Sequence, residues 1–381
     1  MKHSIYGRNP QDGRPIEVIV DDGRVQAIVP GRGDQEAWLS PGLIDLQVNG
    51  YGGDDVNADG VDPDVIQSLT KKMIATGVTT YLPTIITASE EKITAALRAI
   101  AEARRHGKLV ADAVPYVHVE GPSISPTDGY RGAHAREHIR PPSLAEIARW
   151  QQASGGLVGM VTVSPHWDRV EDYISTLSQD GVHVAIGHTD ATATQIRRAV
   201  DSGATLSTHL GNGSAAMIPR HANSLWPQLA DDRLTATFIA DGHHLPGEMF
   251  KAMVRAKGTA RCILVSDTAA LAGMSPGRYR TPVGGEVELH ENGRLSLAGT
   301  EFLAGAALPL KDGILHAVSC GGISLAEGLR MATANPGRFA GDIGILRPGT
   351  AADLIQFTVD EGSSKLNIER IWLKGIEWSG A

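Results

Sequence analysis

Eight short apolar runs rich in β-branched residues recur along this chain, beginning near Leu43, Val78, Val114, Val158, His183, Ala204, Thr235 and Cys262. Stretches of helical periodicity separate most of them, among them SEEKITAALRAIAEARR and PSLAEIARWQQA. Strands linked through helices run parallel, because the crossover returns the chain to the edge where the previous strand began. Eight such units predict an α/β fold, a (β/α)8 barrel of the TIM type. Ser89, followed by Glu90 and Glu91, marks one helix start with a side-chain cap and two acidic residues at the positive end of the dipole. Two further helical stretches are expected around 304–319 and 323–334, with Asn335-Pro336-Gly337 as a stop signal.

The two chain ends follow a different pattern. IEVIVDDGRVQAIV reads as two β-pieces around an Asp-Asp-Gly turn, and GTAADLIQF and LNIERIWLKGIEW are short apolar or alternating runs joined by polar turns. They predict a small β-sandwich domain assembled from residues 1–41 and 341–381, flanking a barrel of residues 42–340. A chain of 381 residues, 42% hydrophobic and 20% charged, can bury cores of that size and is not a disordered polymer. Its net charge of -8 provides no electrostatic footprint for nucleic acid or an anionic membrane. Two cysteines, Cys262 and Cys320, do not make a disulfide framework, and the N-terminal residues lack a signal-peptide core, so the expected compartment is the cytoplasm.

Four of the apolar runs lead directly into a polar residue: Glu120 in AVPYVHVEG, His188 in VHVAIGHTD, His209 in ATLSTHLGN and Asp267 in CILVSDTAA. On the strand count these end strands three, five, six and eight, whose C-terminal ends share one face of a barrel. Two imidazoles and two carboxylates gathered there suit a hydrolytic metal site: three ligands, an open position for water, and an acid–base group. Each residue alone has a plainer explanation. A lone histidine is more often packed or solvated than a ligand, a carboxylate such as Glu120 could pair with a buried arginine, and Asp267 could cap the next helix. Convergence of all four favours the site.

Other residues cluster around the same face. The loop GNGSAAMIPRHAN carries Arg220 and His221, which suits an anionic substrate group or an ordinary surface cation. Asp241-Gly242-His243-His244 ends the seventh run, and neighbouring side chains diverge, so at most one of the two histidines faces the site. His134, in a Gly- and Pro-rich loop, and His166, after the fourth run, are further candidates.

These segments together resemble the amidohydrolase superfamily, and within it the branch that deacetylates N-acetylglucosamine 6-phosphate. The resemblance rests on Pro41-Gly42-Leu43-Ile44-Asp45, HVEGP (118–122), GHTDAT (187–192), THLGN (208–212), IADGHH (239–244), LVSDTAALAG (264–273) and the NPGR-to-AADL tail, spanning about residues 17 to 358. The superfamily's usual His-x-His on strand one is replaced here by Gln47-Val48-Asn49, a variant that implies one metal ion, zinc or alternatively iron. By position the resemblance makes Glu120, His188 and His209 the ligands, Asp267 the general base and then acid, and His134 the group that polarises the amide carbonyl. It places Gln47, Asn49, Asn212, Gly213 and His244 on the substrate, and Arg220 on its phosphate, donated across a homodimer interface. The implied reaction releases acetate and a free amino sugar phosphate. His166, His243 and the 214–226 loop depart from the usual pattern near the pocket. They keep open another N-acetyl hexosamine, phosphorylated or not, or an N-acyl amino acid; a metal-free scaffold is the more distant alternative.

Overall fold

All eight apolar runs form parallel strands in the computed structural model, which describes residues 2–281, 284–360 and 365–380. The strands are Leu43–Val48, Val78–Ile86, Val117–Glu120, Val158–Val163, His183–Ile186, Leu206–Ser207, Thr235–Ile239 and Cys262–Val265, adjacent in that order in one eight-stranded sheet. The sheet closes where the Asp267 N–H donates to the Gln47 carbonyl at 2.9 Å and Thr268 bridges in parallel to Val48. The result is a TIM-like α/β barrel. The third strand starts three residues later than the apolar pattern predicts, because Lys108–Ala113 is helical and the Val114 N–H still donates to its last turn.

The helix Glu90–His106 shows how local sequence builds one unit. Ser89 Oγ accepts from the Lys92 N–H, Glu90 and Glu91 occupy the first turn, and Arg104, Arg105 and His106 the last. Its buried residues Ile93, Ala96, Leu97, Ile100 and Ala103 fall on one helical stripe, which packs against the outside of the barrel. Inside the barrel, Ile44, Leu46, Leu82, Met160, Ala185, Leu206, Ile263 and Val265 make a separate apolar cluster with Phe339 and Ala340. Residues from opposite strands can touch in this way only across the interior.

Both chain ends join one seven-stranded sheet, in the order Ile376–Glu377, Lys365–Leu373, Leu354–Asp360, Trp38–Pro41, His3–Arg8, Pro15–Asp21, Arg24–Pro30. The Asp-Asp-Gly turn is present, with Asp22 (φ 48°) and Gly23 (φ 72°) both left-handed, as a type I′ hairpin requires. Ile5, Val18, Val20, Val25, Leu39, Leu354 and Trp372 form the core of this sheet.

Beyond the last barrel strand the pattern predicted helix too early. Gly277–Thr281, Gly285–Leu289, Leu295–Leu297 and Leu303–Gly305 form a four-stranded antiparallel sheet, and the helix begins only at Leu310. Asn335-Pro336-Gly337 does not stop a helix but lies in a short one of its own, Ala334–Gly337, in whose first turn a proline sacrifices no hydrogen bond. No helix among the described residues is long and apolar enough to cross a membrane.

Candidate active site

The C-terminal ends of the strands surround a cavity of about 420 Å³, a size suited to a small-molecule substrate. Glu120, His134, His188, His209 and Asp267 all line it; the first four are buried and Asp267 is half-buried. His188 (φ 48°), His209 (φ 26°) and Asp267 (φ 50°) have left-handed backbones, a conformation that bulky side chains avoid and that functional sites retain. In each case the strand has just ended, and the turn swings the side chain over the barrel mouth instead of along its wall.

Glu120 is the hub. Its Oε1 lies 2.9 Å from His209 Nε2 and 3.2 Å from His188 Nε2, and its Oε2 lies 3.9 Å from His134 Nε2. The donor atoms of Glu120, His134 and His188 all fall within 4.8 Å of one another. Histidine 134 thus stands among the prospective ligands and not apart from them, while His209 joins them through Glu120. Burial disfavours the Glu120 carboxylate, yet hydrogen bonds from His188 and His209 outweigh it and hold the carboxyl well below its usual range. His209 is correspondingly held up, against its burial, by the same carboxylate.

This donor set suits a divalent metal ion. His188 Nδ1 lies 2.8 Å from the Tyr130 carbonyl, which can only accept, so Nδ1 carries a proton and Nε2 is the ring nitrogen turned towards Glu120. A lone pair facing a carboxylate at 3.2 Å needs a proton or a cation to reconcile them. Buried imidazole and carboxylate donors, with one ring oriented by a backbone carbonyl, are those that zinc and related ions take.

Asp267 sits across the cavity. Asn49 Nδ2 donates to its Oδ1 at 2.7 Å. Burial, and secondarily the charge of Glu120, push its pKa up to about 6. The strand-one pair expected to contact substrate therefore divides. Asn49 lines the cavity and holds Asp267, whereas Gln47 does not line it and is buried behind, with no hydrogen-bond partner for its Nε2 among the described residues. His134 is braced by Thr87, whose Oγ1 lies 2.8 Å from Nδ1, and burial, then the neighbouring His188, push its pKa down to about 3.

Asn212, Gly213 and His244 also line the cavity. Gly213 (φ 58°) passes so close to His188 that a Cβ there would lie 2.7 Å from the ring, so only glycine fits. Arg220 and His221 are exposed and outside the cavity lining of this chain. His166 is likewise outside; its Nδ1 pairs with Ser164 Oγ at 2.6 Å and its ring stacks on Trp167. His243 Nε2 approaches the Asn292 carbonyl at 3.1 Å, tying the barrel to the four-stranded sheet. That sheet contributes Thr281, Val287, Leu295 and Leu303 to the cavity, and the loop after strand one contributes Asp55 and Asn57. Sequence reasoning missed all six. The alternating VELHENGRLSL, with Asn292-Gly293 at its centre, was the legible hairpin signal; nothing comparable marked Asp55.

The amidohydrolase family model matches residues 38–376. An N-acetylgalactosamine-6-phosphate deacetylase of Escherichia coli O157:H7 is 33% identical over 368 residues, 94% of this chain and 93% of that protein. An N-acetylglucosamine-6-phosphate deacetylase of Bacillus subtilis is 30% identical over 78% of this chain and 77% of its own length. Among solved structures, the N-acetyl-D-glucosamine-6-phosphate deacetylase of Mycobacterium smegmatis superposes with a TM-score of 0.85 at 30% identity, covering 96% of this chain and 95% of that one.

Proposed function

Since this chain belongs to the amidohydrolase family, we propose that it hydrolyses the acetamide of an N-acetyl hexosamine 6-phosphate, releasing acetate and the amino sugar phosphate. N-acetylglucosamine 6-phosphate is the first substrate to test. The galactosamine epimer is a second, favoured by the relative of 33% identity that bears its name. The observation that carries this reading is the buried Glu120–His188–His209 cluster facing an Asn49-bound Asp267 across one cavity.

Glu120, His188 and His209 would hold one zinc or iron ion, with His134 beside them. Such an ion, when bound, supplies Lewis acidity and makes water a nucleophile near neutral pH. The protein's own part is proton handling and orientation. Asn49 occupies one oxygen of Asp267, leaving the other to take a proton from the attacking water. As the water oxygen bonds to the acetyl carbon, charge gathers on the amide oxygen, which His134 would stabilise. Asp267 then delivers the same proton to the nitrogen as the C–N bond breaks, so the amine leaves neutral and acetic acid remains, which gives its proton to water and departs as acetate.

The sugar phosphate extends from this centre past Asn212, the Gly213 backbone and His244. Arg220, exposed on its own chain, would reach the phosphate of a second copy in a homodimer. The reading also includes a barrel of residues 42–340 flanked by a small domain of 1–41 and 341–381, in a cytoplasmic enzyme.

The test is acetate release from N-acetyl glucosamine and galactosamine, each with and without the 6-phosphate, after zinc or iron addition. Activity confined to the 6-phosphates, and lost at low substrate in Arg220→Ala, is expected. No acetate from any of the four sugars would sink the reading.

A further inference from the structure

Asp241 ends the seventh barrel strand and receives three hydrogen bonds. Its Oδ1 accepts from the backbone N–H groups of His243 at 2.8 Å and His244 at 2.9 Å, and its Oδ2 lies 2.7 Å from His244 Nδ1. An ionised carboxylate only accepts, so the Nδ1 of His244 must carry a proton. The carboxylate is ionised: burial opposes the charge, but the hydrogen bond from His244 leads the groups that hold its pKa down to about 2. The turn is braced on its other side by His316, which a Cβ on Gly242 would approach to 2.9 Å.

The opposite ring nitrogen, Nε2, belongs to a side chain that lines the cavity, and no residue among those described bonds it. In the neutral ring that nitrogen is a bare acceptor. A phosphate dianion has no proton to offer it, whereas each hydroxyl of a sugar ring has one.

We propose that Asp241 is a positioning residue that fixes the tautomer of His244, so that Nε2 accepts a hydrogen bond from a ring hydroxyl of the substrate. The hydroxyl partner rests on the amino-sugar reading above; the tautomer does not. His244 thereby recognises the sugar, and the phosphate is left to other groups.

Asp241→Asn tests this. The amide keeps an oxygen for the two backbone N–H groups but turns an N–H donor towards Nδ1, which drives the ring proton to Nε2. The substrate hydroxyl must then reverse from donor to acceptor, and its other hydrogen bond must reverse with it. At pH 8, with zinc-loaded protein, long-range proton–nitrogen NMR should show Nδ1–H for His244 in the parent and Nε2–H in the variant. The signal is assigned by its loss in His244→Phe. KM should rise about tenfold for phosphorylated and dephosphorylated sugar alike, with kcat within about threefold. An unchanged KM, a loss confined to the phosphorylated sugar, or kcat and melting temperature falling together would overturn the proposal. Should the Asn variant not fold, the parent decides: an Nε2–H tautomer there overturns it. If the parent releases no acetate from any sugar, the function reading fails while the spectrum still reports the tautomer.

Discussion

The two ends of the same eight strands are built on opposite principles. At the N-terminal end the barrel is filled by Ile44, Leu82, Met160, Leu206 and Ile263, closed by Phe339 and Ala340. At the C-terminal end Glu120, His188, His209 and Asp267 crowd charged and titratable groups into a buried space. Between them lies a polar layer, where His118 Nε2 meets Thr162 Oγ1 at 2.8 Å and Thr162 meets Thr208 Oγ1 at 2.7 Å. The floor obeys the rules that stabilise a fold. The mouth breaks three of them at once, with carboxylates drawn out of water, titratable groups packed side by side, and left-handed backbones at His188, His209 and Asp267. Local violations concentrated at one end of an otherwise regular barrel mark where stability has given way to chemistry.

Substitutions at the two ends should therefore separate activity from stability. The largest effect is expected from Asp267→Asn. Asparagine tolerates the left-handed backbone, so the fold should persist. Acetate release should fall about a hundredfold to ten-thousandfold, the range for losing a general acid–base. The melting temperature should hold or rise, because a carboxylate repelled by Glu120 is gone. A variant keeping a tenth of parental activity would show that the mouth does not depend on this proton carrier.

Met160→Ala should do the reverse at the floor. Denaturant unfolding should show a loss of about 2–5 kcal/mol, typical of a large apolar side chain removed from a packed interior. The kcat/KM of the folded fraction should stay within about twofold of parent. A large kinetic change with little loss of stability would break the division between the ends.

Asp45 joins the two regimes. It is buried on strand one and accepts from the N–H groups of Ser266 and Gln47 at 3.1 and 3.3 Å, while burial pushes its pKa up to about 7. The folded protein therefore holds this proton more tightly than the unfolded chain, where the carboxyl has its ordinary value near 3.8. Its contribution is fully present below about pH 4 and is lost as the pH rises through about 7, a change on the order of a few kcal/mol. Asp45→Asn should flatten stability between pH 4 and 8 relative to parent, as followed by denaturant midpoints across that range. A parallel decline in both proteins would show that Asp45 is not responsible.

The smallest effect is expected at His166. It lies near the mouth but pairs with Ser164 outside the cavity, so His166→Ala should change kcat/KM by less than about threefold. A greater loss would extend the functional face beyond the cavity that the structure shows.

Much of this organisation was legible before any coordinates. The eight runs became eight strands, Ser89 caps its helix, and the Asp22-Gly23 turn closes its hairpin, because each is written in neighbouring residues. The polar residues at the strand ends also declared themselves, since each interrupts an apolar run that would otherwise continue. Other features were missed. The sheet between Gly277 and Gly305 was overlooked because its strands are short and half exposed, although alternation and Asn292-Gly293 marked one of its hairpins. The separate fates of Gln47 and Asn49 also escaped the sequence, since adjacent alternate positions read alike until a partner is placed opposite one of them.

Periodicity and punctuation, which act over a few residues, determined the barrel, the hairpins at the chain ends and the strand termini that carry the polar groups. Tertiary structure alone decided which of those groups act on one another. Asn49 grips Asp267 across 218 residues of chain, and His209 meets Glu120 across 89. Such contacts arise only when the eighth strand closes against the first and the barrel brings its strand ends within a few ångströms. Hydrogen bonds and electrostatic forces at a buried site depend on that distance, and no local pattern in the sequence encodes it.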